Sequence, residues 1–128
     1  MPKELKILVV DDDKEFCQNV RDIPVELKNY QVMTAYDGFK ALKLVKQNGF
    51  DLVLMDVVMP GMDVRETFQK IREVAPGTPV IMITAYAEEK LIREALRKGV
   101  FGYLKKPLDF GRLFSLVKQI KQQKGKEG

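Results

Sequence analysis

Ile7-Leu8-Val9-Val10-Asp11-Asp12-Asp13 and Leu52-Val53-Leu54-Met55-Asp56 decide how this chain reads. Each is an apolar run of four that stops at carboxylates, and Met59-Pro60-Gly61 soon follows the second. Such a run reads as a parallel strand buried on both faces that empties into a loop at a site. If the two strands are neighbours, three acidic side chains meet at one sheet edge.

The rest of the chain alternates in the same way. Strands are expected at Lys6–Val10, Gln31–Ala35, Leu52–Met55, Val80–Thr84 and Phe101–Leu104. Between and after them run stripes at helical spacing: Ala41, Leu42, Val45; Phe68, Ile71, Val74, Ala75; Leu91, Ile92, Ala95, Leu96; and Leu113, Leu116, Val117, Ile120. Turn signals separate them at Asp37-Gly38, Asn48-Gly49, Pro60-Gly61, Pro76-Gly77-Thr78-Pro79 and Lys98-Gly99. Asn48-Gly49 and Lys98-Gly99 stand where helices end in glycine. Pro24 falls inside the first helix, which should begin near Lys14. An interior proline costs a helix about 3 kcal/mol, so a kink, a break or an early end is expected near Asp22–Ile23.

Five βα units predict an α/β doubly wound fold, a five-stranded parallel sheet with helices on both faces. In the flavodoxin-like order 2-1-3-4-5, the switch in strand order lies between strands one and three, where ligands bind beyond the strand ends. Those two strands end in Asp11-Asp12 and Asp56.

Clustered carboxylates repel and raise one another's pKa, so they call for a cation. Oxygen ligands without histidine or cysteine suit Mg²⁺, which keeps waters and can accept phosphate oxygens. Strand four ends in Thr84 and strand five leads to Lys106 at the same edge. A hydroxyl and an ammonium facing an aspartate suit the transfer of a phosphoryl group onto that carboxylate. Taken singly, Asp11 and Asp12 could be turn or N-cap residues, Thr84 an ordinary strand residue and Lys106 a surface lysine.

Composition narrows the classes. The 128 residues suit one domain, 45% hydrophobic and 31% charged. No histidine is present, which removes histidine general-base and ligand chemistry. The single Cys17 excludes an internal disulfide, reads as a small buried or half-buried helix residue and fits a reducing compartment. No apolar run approaches a membrane span. Part of the net charge of +4 sits at Lys118, Lys121, Lys124 and Lys126. Without interleaved aromatics this tail argues against direct nucleic-acid binding.

Four motifs together resemble the response-regulator receiver domain of two-component signalling, chemotaxis-regulator-like. They are Val9-Val10-Asp11-Asp12-Asp13, Leu54-Met55-Asp56-Val57-Val58-Met59-Pro60-Gly61-Met62-Asp63, Ile83-Thr84-Ala85, and Gly102-Tyr103-Leu104-Lys105-Lys106-Pro107. They come in family order and spacing between about Lys6 and Lys121. The resemblance implies a domain over 1–121, and the polar residues 122–128 read as a frayed tail or linker remnant.

It also implies roles. Asp56 accepts a phosphoryl group from a phosphohistidine on a partner kinase or phosphotransfer protein. Asp11, Asp12, Asp56 and the backbone carbonyl of Val58 hold Mg²⁺. Thr84 and Lys106 contact phosphoryl oxygens, Tyr103 is a switch aromatic moving with Thr84, and the Lys106-Pro107 bond is cis. Val58 and Tyr86, by position, govern phosphate lifetime, and with no polar group at Val58 and bulk at Tyr86 slow self-dephosphorylation is expected. The output surface lies near Glu88 to Arg97 and Tyr103 to Arg112, facing an output domain or partner. Such a domain works in the cytoplasm and catalyses only its own phosphorylation and dephosphorylation.

The chain departs from the family at Val64, where glycine is usual, and at Asn29, before strand two. Val64 disfavours positive φ and should alter the third loop. Two other functions compete. An aspartate-nucleophile phosphatase commonly has a second aspartate two residues after the first, where this chain has Val58. A phosphorylation-independent adaptor often lacks an acidic or lysine member of the site, and here all are present.

Overall fold

A computed structural model describes residues 5–22, 30–57, 64–85 and 89–127. Strands β1 (Leu5–Val10), β2 (Tyr30–Ala35), β3 (Leu52–Asp56), β4 (Val80–Thr84) and β5 (Gly102–Lys105) alternate with helices α1 (Lys14–Arg21), α2 (Gly38–Gln47), α3 (Val64–Val74), α4 (Glu89–Arg97) and α5 (Phe110–Glu127). The sheet is parallel throughout, in the order β2-β1-β3-β4-β5. This is the flavodoxin-like arrangement expected from the pattern, with β1 and β3 adjacent.

Alternation along the strands sorts the core into two layers. Ile7, Val9, Leu52, Leu54, Ile81 and Ile83 pack with Phe16, Cys17 and Val20 of α1 and Leu113, Val117 and Ile120 of α5. Leu8, Val10, Val53 and Met55 face the other way, onto Ala41, Leu44 and Val45 of α2 and Phe68 and Ile71 of α3. Both faces of β1 and β3 are therefore dry, which explains apolar runs without alternation. Each buried aliphatic side chain contributes about 1.5–3 kcal/mol by leaving water.

The helices follow most of the expected stripes. Val74 and Leu96 are exceptions, each more than two-fifths exposed. Both lie in the last turn of their helix. In α4 Ile92 is buried while Leu96 and the charged residues Arg93 and Arg97 face solvent.

Local punctuation has physical causes. The Asp13 side chain accepts the Phe16 N–H at 3.1 Å and caps α1, and Asp37 accepts the Lys40 N–H at 2.7 Å and caps α2. Helix α1 ends at Arg21 with Asp22 as its cap, the early end expected there; Pro24 and Asn29 lie outside the described residues. Gly99 closes α4 with φ +105°, and a Cβ there would collide with the Arg72 guanidinium, which donates to the Lys98 carbonyl. Gly49 does not behave this way. Asn48 caps α2 in an extended conformation, and among the described residues only Gly99 has positive φ.

Two further expectations meet the structure differently. Val64 opens α3 as an ordinary helical residue with negative φ, while the loop before it lies outside the described residues. The polar stretch expected to fray from 122 is helical through Glu127. It extends the packed Leu113–Ile120 stretch with lysine and glutamine, which favour helix.

Gly99→Ala puts a side chain on a left-handed backbone, and the Arg72 guanidinium it meets can swing aside. The substitution should cost more than about 1 kcal/mol, read as a lower urea midpoint at unchanged slope.

Candidate functional site

Register brings the carboxylates together. Val10 of β1 pairs with Met55 of β3, so the next residues, Asp11 just past β1 and Asp56 at the end of β3, stand at the same level. The Asp11 N–H donates to the Ala35 carbonyl and the Val57 N–H to Ile83, which continue the ladders up to the loops. Carboxylate oxygens of Asp11, Asp12 and Asp56 all lie within 4.8 Å of one another. Asp11 and Asp56 are buried and Asp12 is exposed.

The opposite wall comes from β4 and β5. Thr84 ends β4, fully buried, and pairs with Lys105. Its carbonyl accepts the Lys106 N–H at 2.8 Å, which fixes the lysine backbone beside the threonine. The Lys106-Pro107 bond is cis, as the family motif implies. Lys106 Nζ then reaches back across β3. It lies 2.7 Å from Asp11 Oδ2 and 3.3 Å from Asp56 Oδ2.

The ammonium has a third neighbour. It stands 4.6 Å from the centroid of the Phe16 ring, in cation–π range. Nothing in the spacing of α1 singles out Phe16, which reads simply as the first apolar residue of an amphipathic helix. Asp13, the last of the acidic triplet, belongs to the helix cap; its N–H also donates to Asp11 Oδ1 at 3.0 Å.

Burial and like charge set the electrostatics. Burial raises the Asp11 pKa, and the Asp56 charge adds to this; Lys106 and the Asp13 N–H oppose it without prevailing. Burial acts to lower the Lys106 pKa, but its contacts with Asp11 and Asp56 outweigh that and raise it. An ion pair alone would lower the Asp11 pKa. The rise therefore reflects a dry carboxylate crowded by a second one, with one ammonium between two acids. Cys17 sits beneath the cluster, its Sγ donating to the Asp11 carbonyl at 3.4 Å, and burial pushes its thiol up to about 11.

The donor set fits a hard divalent cation. It is all oxygen, and Asp11 Oδ2 is buried with an ion-pair contact but no directed hydrogen bond. Tyr103 lies on β5 opposite Met82, half-buried and short of the edge. Val58 and Tyr86 are outside the described residues, so the site as described consists of Asp11, Asp12, Asp56, Thr84, Lys106 and Phe16.

Comparison with known proteins points the same way. The model of the response regulator receiver domain matches residues 7–118. The transcriptional regulatory protein ZraR of Klebsiella oxytoca is 40% identical over 111 residues, 87% of this chain and 25% of that protein. The regulatory protein AtoC of Escherichia coli is 38% identical over 120 residues, 91% of this chain and 25% of that protein. The chain thus spans about a quarter of the length of these relatives. Among solved structures, a response regulator receiver domain protein from Methanospirillum hungatei superposes with a TM-score of 0.86 at 30% identity, covering 97% of this chain and 98% of that one. A two-component response regulator from Clostridium difficile gives 0.84 at 31% identity, covering 92% and 96%.

The raised Asp11 pKa predicts a pH-dependent gain from removing that charge. Above its raised pKa, charged Asp11 carries the cost of burial and of Asp56, so there Asp11→Asn should stabilise the metal-free protein. As pH falls through the raised pKa toward the ordinary 3.8, protonation relieves the wild type and the advantage should vanish. Urea midpoints of both proteins across that range check it.

Proposed function

This chain belongs to the response-regulator receiver family of two-component signal transduction, and from that premise we propose that it is a phosphoacceptor switch with Asp56 as acceptor. The observation that carries the reading is Lys106 Nζ lying between Asp11 and Asp56, at the edge where Thr84 ends β4.

An Asp56 carboxylate oxygen attacks the phosphorus of a phosphohistidine on a partner kinase or phosphotransfer protein. The P–N bond breaks, the imidazole leaves and takes up a proton, and an acyl phosphate remains on Asp56. Such transfers depend on positioning and charge compensation more than on covalent chemistry. Lys106 already faces Asp56 and supplies a cation to the arriving oxygens. The Thr84 hydroxyl offers a hydrogen bond to the same group. Asp11, Asp12 and Asp56, with the Val58 carbonyl, would hold Mg²⁺, which when bound offsets the carboxylate and phosphoryl charge.

The switch follows from competition for one ammonium and one hydroxyl. The new phosphoryl charge draws Lys106 and Thr84, and the movement of Thr84 frees space into which Tyr103 turns. The face of α4, β5 and α5 is the output surface, and it acts on an output domain or partner protein. Partial cover of α4, with Ile92 buried and Leu96 exposed, supports a helix that can shift. The domain comprises residues 1–121, with 122–128 as a polar tail, and it works in the cytoplasm. It is a regulatory domain whose only catalysis is on its own acyl phosphate, and Val58 and Tyr86 make that phosphate long-lived.

Acetyl phosphate with Mg²⁺ should add one phosphoryl group to the wild type and none to Asp56→Asn, read by intact mass. Labelling without Mg²⁺, or of Asp56→Asn, would sink the assignment. Val58→Asn should lose its phosphate faster than wild type; equal decay would show that Val58 is no barrier.

A further inference from the structure

Phe16 touches the site's ammonium, and the phosphoacceptor reading does not use its chemistry. It is an α1 residue, 9% exposed, with its ring 4.6 Å from Lys106 Nζ. It belongs to the core layer of β1, β3, α1 and α5, so its place in the fold is fixed by packing with Val20 and the strands. The Asp13 cap anchors the same turn through the Phe16 N–H itself, at 3.1 Å. The ring is thus held from two sides, while Lys106 is a long flexible chain, 18% exposed, entering from a loop.

We propose that Phe16 is a positioning residue that acts through Lys106, its ring face holding the ammonium at the acceptor carboxylate by a cation–π contact. An ammonium has three donors. Two carboxylates, Asp11 and Asp56, take two sides, and the ring covers a side that would otherwise face water. A ring attracts a cation without taking up a directed donor, so it restrains Lys106 in place yet leaves its N–H groups able to turn. A carboxylate in the same position would bind the ammonium too well and compete with the arriving phosphoryl oxygens. Without the ring, Lys106 gains outward rotamers, and the fraction of molecules with the cation in place falls.

This inference rests on Asp56 being the phosphoacceptor, and the test separates the two. Mono-, di- and trifluorophenylalanine at position 16 keep the shape of the ring while draining its negative face. The rate of Asp56 phosphorylation by acetyl phosphate at saturating Mg²⁺ should fall stepwise along the series, by roughly tenfold in all for a partly desolvated contact. Melting temperatures should stay level. In the unphosphorylated protein, the Lys106 side-chain NMR signals should be shifted upfield by the ring, and Phe16→Leu should abolish that shift, whereas Phe16→Tyr should preserve both shift and rate. A native protein that is phosphorylated normally but shows a flat fluorine series, or Lys106 signals without a ring shift, overturns the positioning role alone. A native protein that acetyl phosphate does not modify overturns the phosphoacceptor reading and the positioning role with it.

Discussion

One ammonium between two buried carboxylates ties the site to the fold. Lys106 arrives from the loop after β5, Asp11 from β1 and Asp56 from β3. The contact therefore spans the sheet from its centre to its edge strand. It also leaves the charges unbalanced, since one cation serves two buried acids with Asp12 alongside. A buried ionic group that loses its partner is costly, so such a site holds tension that a further cation or a rearrangement can release. The same burial and crowding raise the Asp11 pKa.

The hydrophobic layers exist on the same strands and make the arrangement rigid. Residues immediately before the acids, Val10 and Met55, are buried, one pairing directly with the other. Dry packing on both faces leaves the strands no freedom to slide, because a slip of one residue would exchange the two layers. The carboxylates inherit that precision. The α4 side of the molecule is built differently. Among the described side chains of α4 only Ile92 is buried, its charged residues Glu89, Arg93 and Glu94 pair at the surface, and such pairs contribute little. A fixed acidic edge thus stands beside a helix with few buried side chains among those described.

Much of the fold is legible in the order of residues alone. The apolar runs, the carboxylates that end them and the turn signals define strand and helix order, because burial on both faces leaves no other pattern open to a parallel strand. The early end of α1 is legible because proline cannot be carried inside a helix. The extra length of α5 is not: polar residues that favour helix look the same whether they fray or follow a packed segment. Val64 is equally opaque. At a turn position a β-branched residue would be a liability, but Val64 sits at a helix start, where it is acceptable.

By itself the sequence determined the chemical inventory: three aspartates, a threonine and a lysine at strand ends, no histidine, and a family signature. It did so because each residue type is fixed by local pattern and by what its side chain can do. Tertiary structure decided who shares whom. Only the β1–β3 register sets Asp11 beside Asp56, only the turn after β5 brings Lys106 back to both, and only the packing of α1 lays the Phe16 ring beside that ammonium. Those are contacts between residues far apart in the chain, and no local pattern encodes the distance between them.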